Sequence, residues 1–474
     1  MYLRRWRKIH AEAEAFAQDS DSEPELNMEE SSEYSTSGSE GRGSNDEPES
    51  SDFQSEISYE EEPVSSDSED EFHEVPEEDE QQSFTEKLAS WCSRNKHTRK
   101  STNELLAMLR EEGLPVPKDS RTLQKTPRSI TVEEKCGGQY KYFGLEFGIR
   151  NVIEDNQNFI SQNLNSINLK INIDGVPLFK SSSMQFWPIL CSFENFKPFL
   201  VSIFYGNSKP SSVSEFLEEF LEEYSQLKTN GLQIEDARLN IKVRIKAFIC
   251  DAPARALIKG IKGHTGYYAC ERCTIKGYWK NNRIILYSKD ECSLRTDEEF
   301  SLVVYDNHQT SVSPLIEHGI QCVKAFCLDY MHLACLGVVK RIIYFLKHGP
   351  AVCRLSYQQM CDISKKLQFL SGKLPSEFAR QPRSMFEVER WKATEFRQFL
   401  LYTGPVVLKD IISDTMYEHF LSLSVAMSIL LTSDQDKRMA YLEYAQQLLN
   451  FFVDKSIEIY TETFLVYNVH CLKH

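Results

Sequence analysis

No run of about eighteen apolar residues occurs in the 474-residue chain, so a membrane-spanning helix is not expected. The basic start MYLRRWRKIH is followed by no apolar segment, which argues against a secretory signal. Internal repeats are missing too, and this argues against solenoids and propellers. One long segment lacks basic residues almost entirely: positions 11–80 hold 27 Asp and Glu against Arg42 alone. It is also poor in aliphatic side chains and cannot bury enough apolar surface to offset its ordering entropy, so residues 1–83 read as a disordered acidic tail. Its Ser-Asp and Ser-Glu steps suit an acid-directed kinase, although a solubilising role is the plainer reading.

The formal charge of −16 is therefore unevenly spread. With −26 over 11–80 and +4 over 1–10, positions 81–474 carry +6, and a mildly basic body is compatible with a nucleic-acid partner. Cysteine is not scarce. The thirteen residues fall mostly in apolar segments such as CSF, FIC, FCL and AVC, a pattern of reduced, buried thiols plus one metal pair, expected of an intracellular protein.

Residues 84–130 read as two short amphipathic helices around a basic turn, then an extended linker. Ser101 and Glu104 have capping-box spacing, and Gly113 with Pro115 closes the second helix. A helix-turn-helix touching DNA through Lys96, Arg99 and Lys100 is one reading; a solvated basic loop is the other. Residues 131–265 change period. INLKINIDGVPLF, MQFWPILCSF and KPFLVSIFYG predict three strands, SVSEFLEEFLEEYSQLKTNG a helix, and IKVRIKAFICDAPARALIKG a strand entering a helix. A three-strand meander, a helix and a fourth strand form the first half of an α/β, RNase H-like mixed sheet. Residues 266–474 hold a cysteine knuckle and a large all-helical insertion, almost wholly helical beyond about 315.

Asp174 ends the first strand of that series and Asp251 the fourth. In such a sheet those strands are central neighbours, so both carboxylates would meet at the carboxyl edge, where open α/β sheets place their sites. Two close carboxylates repel, and shared Mg²⁺ or Mn²⁺ relieves this while supporting phosphodiester chemistry. Gly175 would let a bulky substrate approach the backbone. The plainer alternative makes each Asp a turn residue or helix cap, and Asp251 before Ala-Pro-Ala suits a cap.

IDG in one strand, CDAPA in another, CERC nineteen residues after the second Asp, and a later LDYMHL together resemble transposases of the CACTA/En-Spm type. More broadly the chain is similar to the CACTA–Mirage–Chapaev group, to which the catalytic subunit of the V(D)J recombinase is related; the resemblance spans about residues 84–474. It implies structural zinc held by Cys270 and Cys273 with His470 and His474, a Cys₂His₂ set that suits tetrahedral Zn²⁺. His264 and His332 are the alternative ligands, and Cys471 is expected to face away. It further implies catalysis through Asp174 and Asp251, DNA with transposon-like ends as partner, a homodimer, a nuclear location, and no small-molecule substrate. A third acid, a Glu about twenty residues after the His pair, is expected beyond position 474, which would make the chain a truncated product, inactive alone. Glu387, Glu389 and Glu395 are the in-chain substitutes, though helix salt bridges are their plainer role. Asp329 reads as a helix start. The alternative function is a non-enzymatic nuclear platform for DNA or protein binding.

Overall fold

The computed structural model describes residues 83–95, 97–156, 165–179, 182–234, 239–288 and 292–474. The expected acidic tail, except its last residue, and Lys96 lie outside the described residues.

Three short helices come first: α1 (Phe84–Arg94), α2 (Arg99–Glu111) and α3 (Ser120–Leu123). The apolar residues buried between them are few: Cys92, Leu106, Val116 and Leu123. Helix α2 starts earlier than the Ser101–Glu104 spacing suggests. The Thr98 hydroxyl accepts the Ser101 N–H, so Thr98 is the cap and Ser101 lies inside the helix. Arg99 is paired with Asp119, and Lys100 stands 4.0 Å from Glu104, so the two described cations of the supposed DNA-reading turn face local acids.

A mixed sheet follows, with β1 (Glu133–Lys135), β2 (Gly138–Tyr142), helix α4 (Leu145–Glu154), β3 (Ser166–Ile173), β4 (Val176–Pro177), β5 (Gln185–Ser192) and β6 (Phe199–Gly206). Helix α5 (Val213–Asn230), β7 (Leu232–Ile234), β8 (Leu239–Cys250) and helix α6 (Ala252–Lys259) come next. A separate hairpin, β9 (Tyr278–Lys280) and β10 (Arg283–Ile285), precedes the last sheet strand, β11 (Phe326–Leu328). The strand order is β1-β2-β6-β5-β3-β8-β11. Strands β3, β5 and β6 form an antiparallel meander; β8 lies parallel to β3, and β11 parallel to β8.

Strict alternation builds this sheet. Ile167, Leu169, Ile171 and Ile173 of β3 are all buried, while the residues between them are half-exposed. Helix α5 covers the apolar face with Phe216, Leu217, Phe220, Leu221, Tyr224 and Leu227, an i, i+4 stripe. Ser212 caps its start, and Gly231 (φ 75°) ends it in a conformation that other residues rarely adopt.

The second core is helical. Residues Met331–Val339 wind in wider π turns and run directly into Lys340–His348. Asp414–Leu430 and Leu442–Tyr460 pack together through residues such as Phe420, Leu423, Phe452 and Val453. Beyond 315 the chain is not wholly helical, because β11 returns to the sheet. Three residues are too few to show a period. The sheet thus draws on both sides of the 265/266 division that the sequence suggests.

Gly148 on α4 marks a close helix–sheet approach. A Cβ there would stand 2.1 Å from the Phe199 ring. Gly148→Ala should cost about 1–3 kcal/mol in urea unfolding, whereas Gly263→Ala, with nothing within 4 Å, should be near neutral. Equal unfolding midpoints would contradict this packing.

Candidate metal centres

Three apolar strand segments end in aspartate: INID, FICD and FCLD. The register aligns them. Ile171 and Phe326 both pair with Phe248, so Asp174, Asp251 and Asp329 each follow three residues beyond one common rung. Adjacent parallel strands lie about 4.8 Å apart, and the three carboxylates therefore share one carboxyl edge.

Each carries local bonds. Asp251 Oδ1 accepts from the Ala254 N–H at 2.7 Å, capping α6, so the plain helix-cap role is present. Asp329 accepts the backbone N–H groups of Met331 (3.2 Å) and His332 (3.3 Å), and His332 Nδ1 is bonded to the same carboxylate. Burial and the Asp251 charge push the Asp174 carboxyl up to about 6, opposed by His332. The hydrogen bond to Asp329 holds His332 above its ordinary range against burial, with Asp251 and Asp174 adding to it. Burial pulls His264 down, while the Asp251 charge draws it up. His332 thus belongs to the carboxylate edge, while the His264 ring lies against Tyr467. Asp329 starts a helix as expected but also faces the other two acids. A third short apolar run ending in Asp, AFCLD, was the available signal. Gly175 has another reason than substrate approach: a Cβ there would meet the Trp187 indole at 2.8 Å.

The second centre is assembled from both ends of the 266–474 region. Cys270, Cys273, His470 and His474 bring one donor atom each within 4.8 Å of one another, the one such group of three or more among the described residues. The three aspartates line their edge without converging to that spacing. Cys270 and Cys273 sulfurs are 3.5 Å apart, Cys273 Sγ lies 3.3 Å from His470 Nε2, and the two Nε2 atoms are 3.3 Å apart. A zinc tetrahedron with Zn–S of about 2.3 Å and Zn–N of about 2.0–2.1 Å has edges of about 3.3–3.8 Å. The donors already stand at that spacing, so the residues fit Zn²⁺. Backbone N–H groups of Arg272 (3.4 Å) and Cys273 (3.3 Å) point at Cys270 Sγ, as a thiolate requires. Although burial pushes the Cys270 thiol up, hydrogen bonds from Cys273, Cys471, His470 and His474 bring it well below its usual range. Cys471 does not face away: it is buried beside Cys270, because the helix tightens to a 3₁₀ turn at Cys471–Lys473.

Glu271, inside the CERC knuckle, was not singled out by the sequence. Its Oε1 accepts from Arg255 Nε (2.8 Å) and the Tyr467 hydroxyl (2.6 Å), and its Oε2 from Lys259 Nζ (2.7 Å). Arg255 also donates to the Cys250 carbonyl at 2.6 Å and to the Tyr467 oxygen at 3.0 Å. All three charged groups are buried. Burial opposes its ionisation, yet Lys259 and Arg255 hold the Glu271 carboxyl down to about 2. One carboxylate therefore joins the knuckle to both the Asp251 strand end and the histidine segment.

The in-chain substitutes for a third acid are structural. Glu395 is buried and accepts two bonds from Arg383 (2.7 and 2.8 Å), and Glu389 pairs with Lys347 at 2.7 Å. Glu387 lies in the same segment, half-buried. No protein-family model matches this chain, and no curated protein matches it either.

Glu271→Gln should lower stability by about 3–5 kcal/mol, since it leaves buried cations without their anion, and Lys259→Met added to it should recover part of the loss; a urea midpoint unchanged by Glu271→Gln would contradict the network. Asp174 is ionised in the unfolded chain above about pH 4 but in the fold only above about 6. The fold is thus penalised as pH rises through that window. Asp174→Asn should raise the melting temperature at pH 7.5 in buffer free of Mg²⁺ and Mn²⁺, with the gain fading as pH falls from 6 to 4. A pH-independent difference would contradict the raised carboxyl.

Proposed function

We propose that this chain is a transposase-derived protein with an RNase H-like core that acts on DNA phosphodiesters through Mg²⁺ or Mn²⁺ at Asp174 and Asp251. The observation that carries the reading is the pairing of β3 with β8: a meander strand and a crossover strand lie parallel at the sheet centre and end in facing carboxylates. The CDAPA, CERC and HxxxH motifs, assembled around one another through Glu271, add the resemblance to CACTA-type enzymes. A divalent ion held at that edge supplies charge to activate a water or a 3′-hydroxyl and to stabilise the leaving oxygen.

The chain's own residues have distinct parts in this. Asp174, half-withdrawn from water and pressed by a second negative charge, gains from a cation. Asp251 keeps Oδ1 on the α6 cap and offers Oδ2. Asp329 adds a third carboxylate oriented by His332, whose ring can hold a proton beside a phosphate oxygen. Zinc on Cys270, Cys273, His470 and His474 has a structural part, since four protein donors leave no open position. DNA as partner, a homodimer and a nuclear location follow from the same reading. Chemistry by this chain is expected to be slow, because Asp251 and Asp329 are both engaged in helix caps.

The second reading, a non-enzymatic platform on DNA or protein, is favoured by that same capping bond of Asp251. Nicking of supercoiled DNA in Mn²⁺ separates the two. The enzyme reading expects slow nicking that falls at least a hundredfold in Asp174→Ala and Asp251→Ala, with DNA binding retained. Salt-sensitive binding without nicking in the unaltered chain, or nicking untouched by both substitutions, contradicts it.

A further inference from the structure

Strand β8 is paired along one edge with β3, but its other edge is incompletely covered. Strand β7 pairs only with Leu239–Ile241 and β11 only with Phe248–Cys250, so among the described residues, positions 242–247 have no strand partner besides β3. The gap is a notch of about 630 Å³ between the end of α5 and the segment before β11. Five cationic residues line it, Lys228, Lys242, Arg244, Lys246 and Lys324, and no acid does. Lys228 Nζ donates to the His318 carbonyl at 3.1 Å; the other four have no ion pair among the described residues. In a chain of net charge −16 this is a concentrated positive site.

Register connects the notch to the acids. Ser166 pairs with Lys242, Asn168 with Arg244, and Lys170 with Ala247. Side chains paired in a parallel ladder point to the same face, and alternate residues share it. Lys242 and Arg244 therefore share the half-exposed sheet face with Asn168, Lys170 and Asn172, which leads to Asp174 and Asp251. A bulge in β8 absorbs one residue, so the distance is read along β3: from Asn168, opposite Arg244, to Asp174 is six residues, about 20 Å at about 3.3 Å per residue, the rise of about six base pairs at 3.4 Å each.

We propose that this notch grips the phosphate backbone of duplex DNA about six base pairs from the position held at Asp174 and Asp251. The inference rests on DNA being the partner under the function proposed above. The cations supply the charge that releases counterions from a phosphate track, and the notch, where no second strand lies against β8 and the Tyr224 hydroxyl takes the Ile245 N–H at 3.2 Å, gives the backbone room to approach. Lysines on an open edge also discourage edge-to-edge aggregation. Glutamates would do that equally well, so charge reversal tells the two roles apart.

The test is fluorescence anisotropy of the full chain with a 30-base-pair duplex across 50–200 mM NaCl. K242E/R244E/K246E should weaken binding at least tenfold and flatten the log–log salt slope by about 2–3, from about 0.9 per phosphate contact. K365E/K366E/K373E, on the helical block, should change neither. If the strand variant folds poorly, K228E/K324E, off the strand, carries the same expectation. Binding to DNA equal to that of the unaltered chain overturns the proposal, as does notch-dependent binding of inositol hexakisphosphate with DNA affinity unaffected. Notch-dependent DNA binding without Mn²⁺-dependent nicking would sink the enzyme reading and keep the notch; nicking that ignores the notch variants would do the reverse.

Discussion

A carboxylate taken out of water is stable only when cations and hydrogen-bond donors replace that water completely. Glu271 meets this condition with three partners from two parts of the chain: Arg255 and Lys259 on α6, and Tyr467 just before His470. The consequence reaches beyond local stability. The helix that Asp251 caps, the cysteine knuckle and the histidine turn cannot move independently without exposing a buried charge. Arg255 strengthens the link by also holding the carbonyl of Cys250, the residue before Asp251. The two candidate metal centres therefore share one scaffold, in which the cysteine–histidine cluster fixes the geometry of the carboxylate edge.

That edge shows competing demands on a few polar atoms. Asp251 serves a helix cap and faces a second acid; Asp329 serves a helix start and a histidine. Nothing in the apolar core requires three aspartates in register at the ends of β3, β8 and β11. With Asp174 pushed up to about 6 by burial and by Asp251, the arrangement costs stability until positive charge arrives. Placement of repelling groups at a sheet's carboxyl edge supports the metal-site reading proposed above. Lys242 and Arg244 of the notch lie farther along the same sheet face, so charge of both signs is arranged along one surface.

Much of this was legible in the sequence wherever a long period or a short motif carried the signal. The alternation of β3, the stripe of α5, the Asp at the ends of β3 and β8, and the Cys–His spacing all have counterparts in the structure. What was not legible depended on distant partners or on very short elements. β11 has three residues, so Asp329 looked like a helix start alone. The partners of Glu271 lie 12 to 196 residues away. Cys471 was set aside on α-helical geometry, but the chain there closes as a tighter turn that brings its sulfur to Cys270. The start of α2 was misplaced because Thr98 and Ser101 are both plausible caps, and only packing decides between them.

The most direct test of the account is zinc K-edge X-ray absorption on the purified chain, since the scaffold argument requires a closed four-donor centre. The account predicts one zinc per chain with two sulfurs at about 2.3 Å and two nitrogens at about 2.0–2.1 Å. A chain that carries no zinc and binds none on titration, or a shell of oxygen and nitrogen alone, would contradict it.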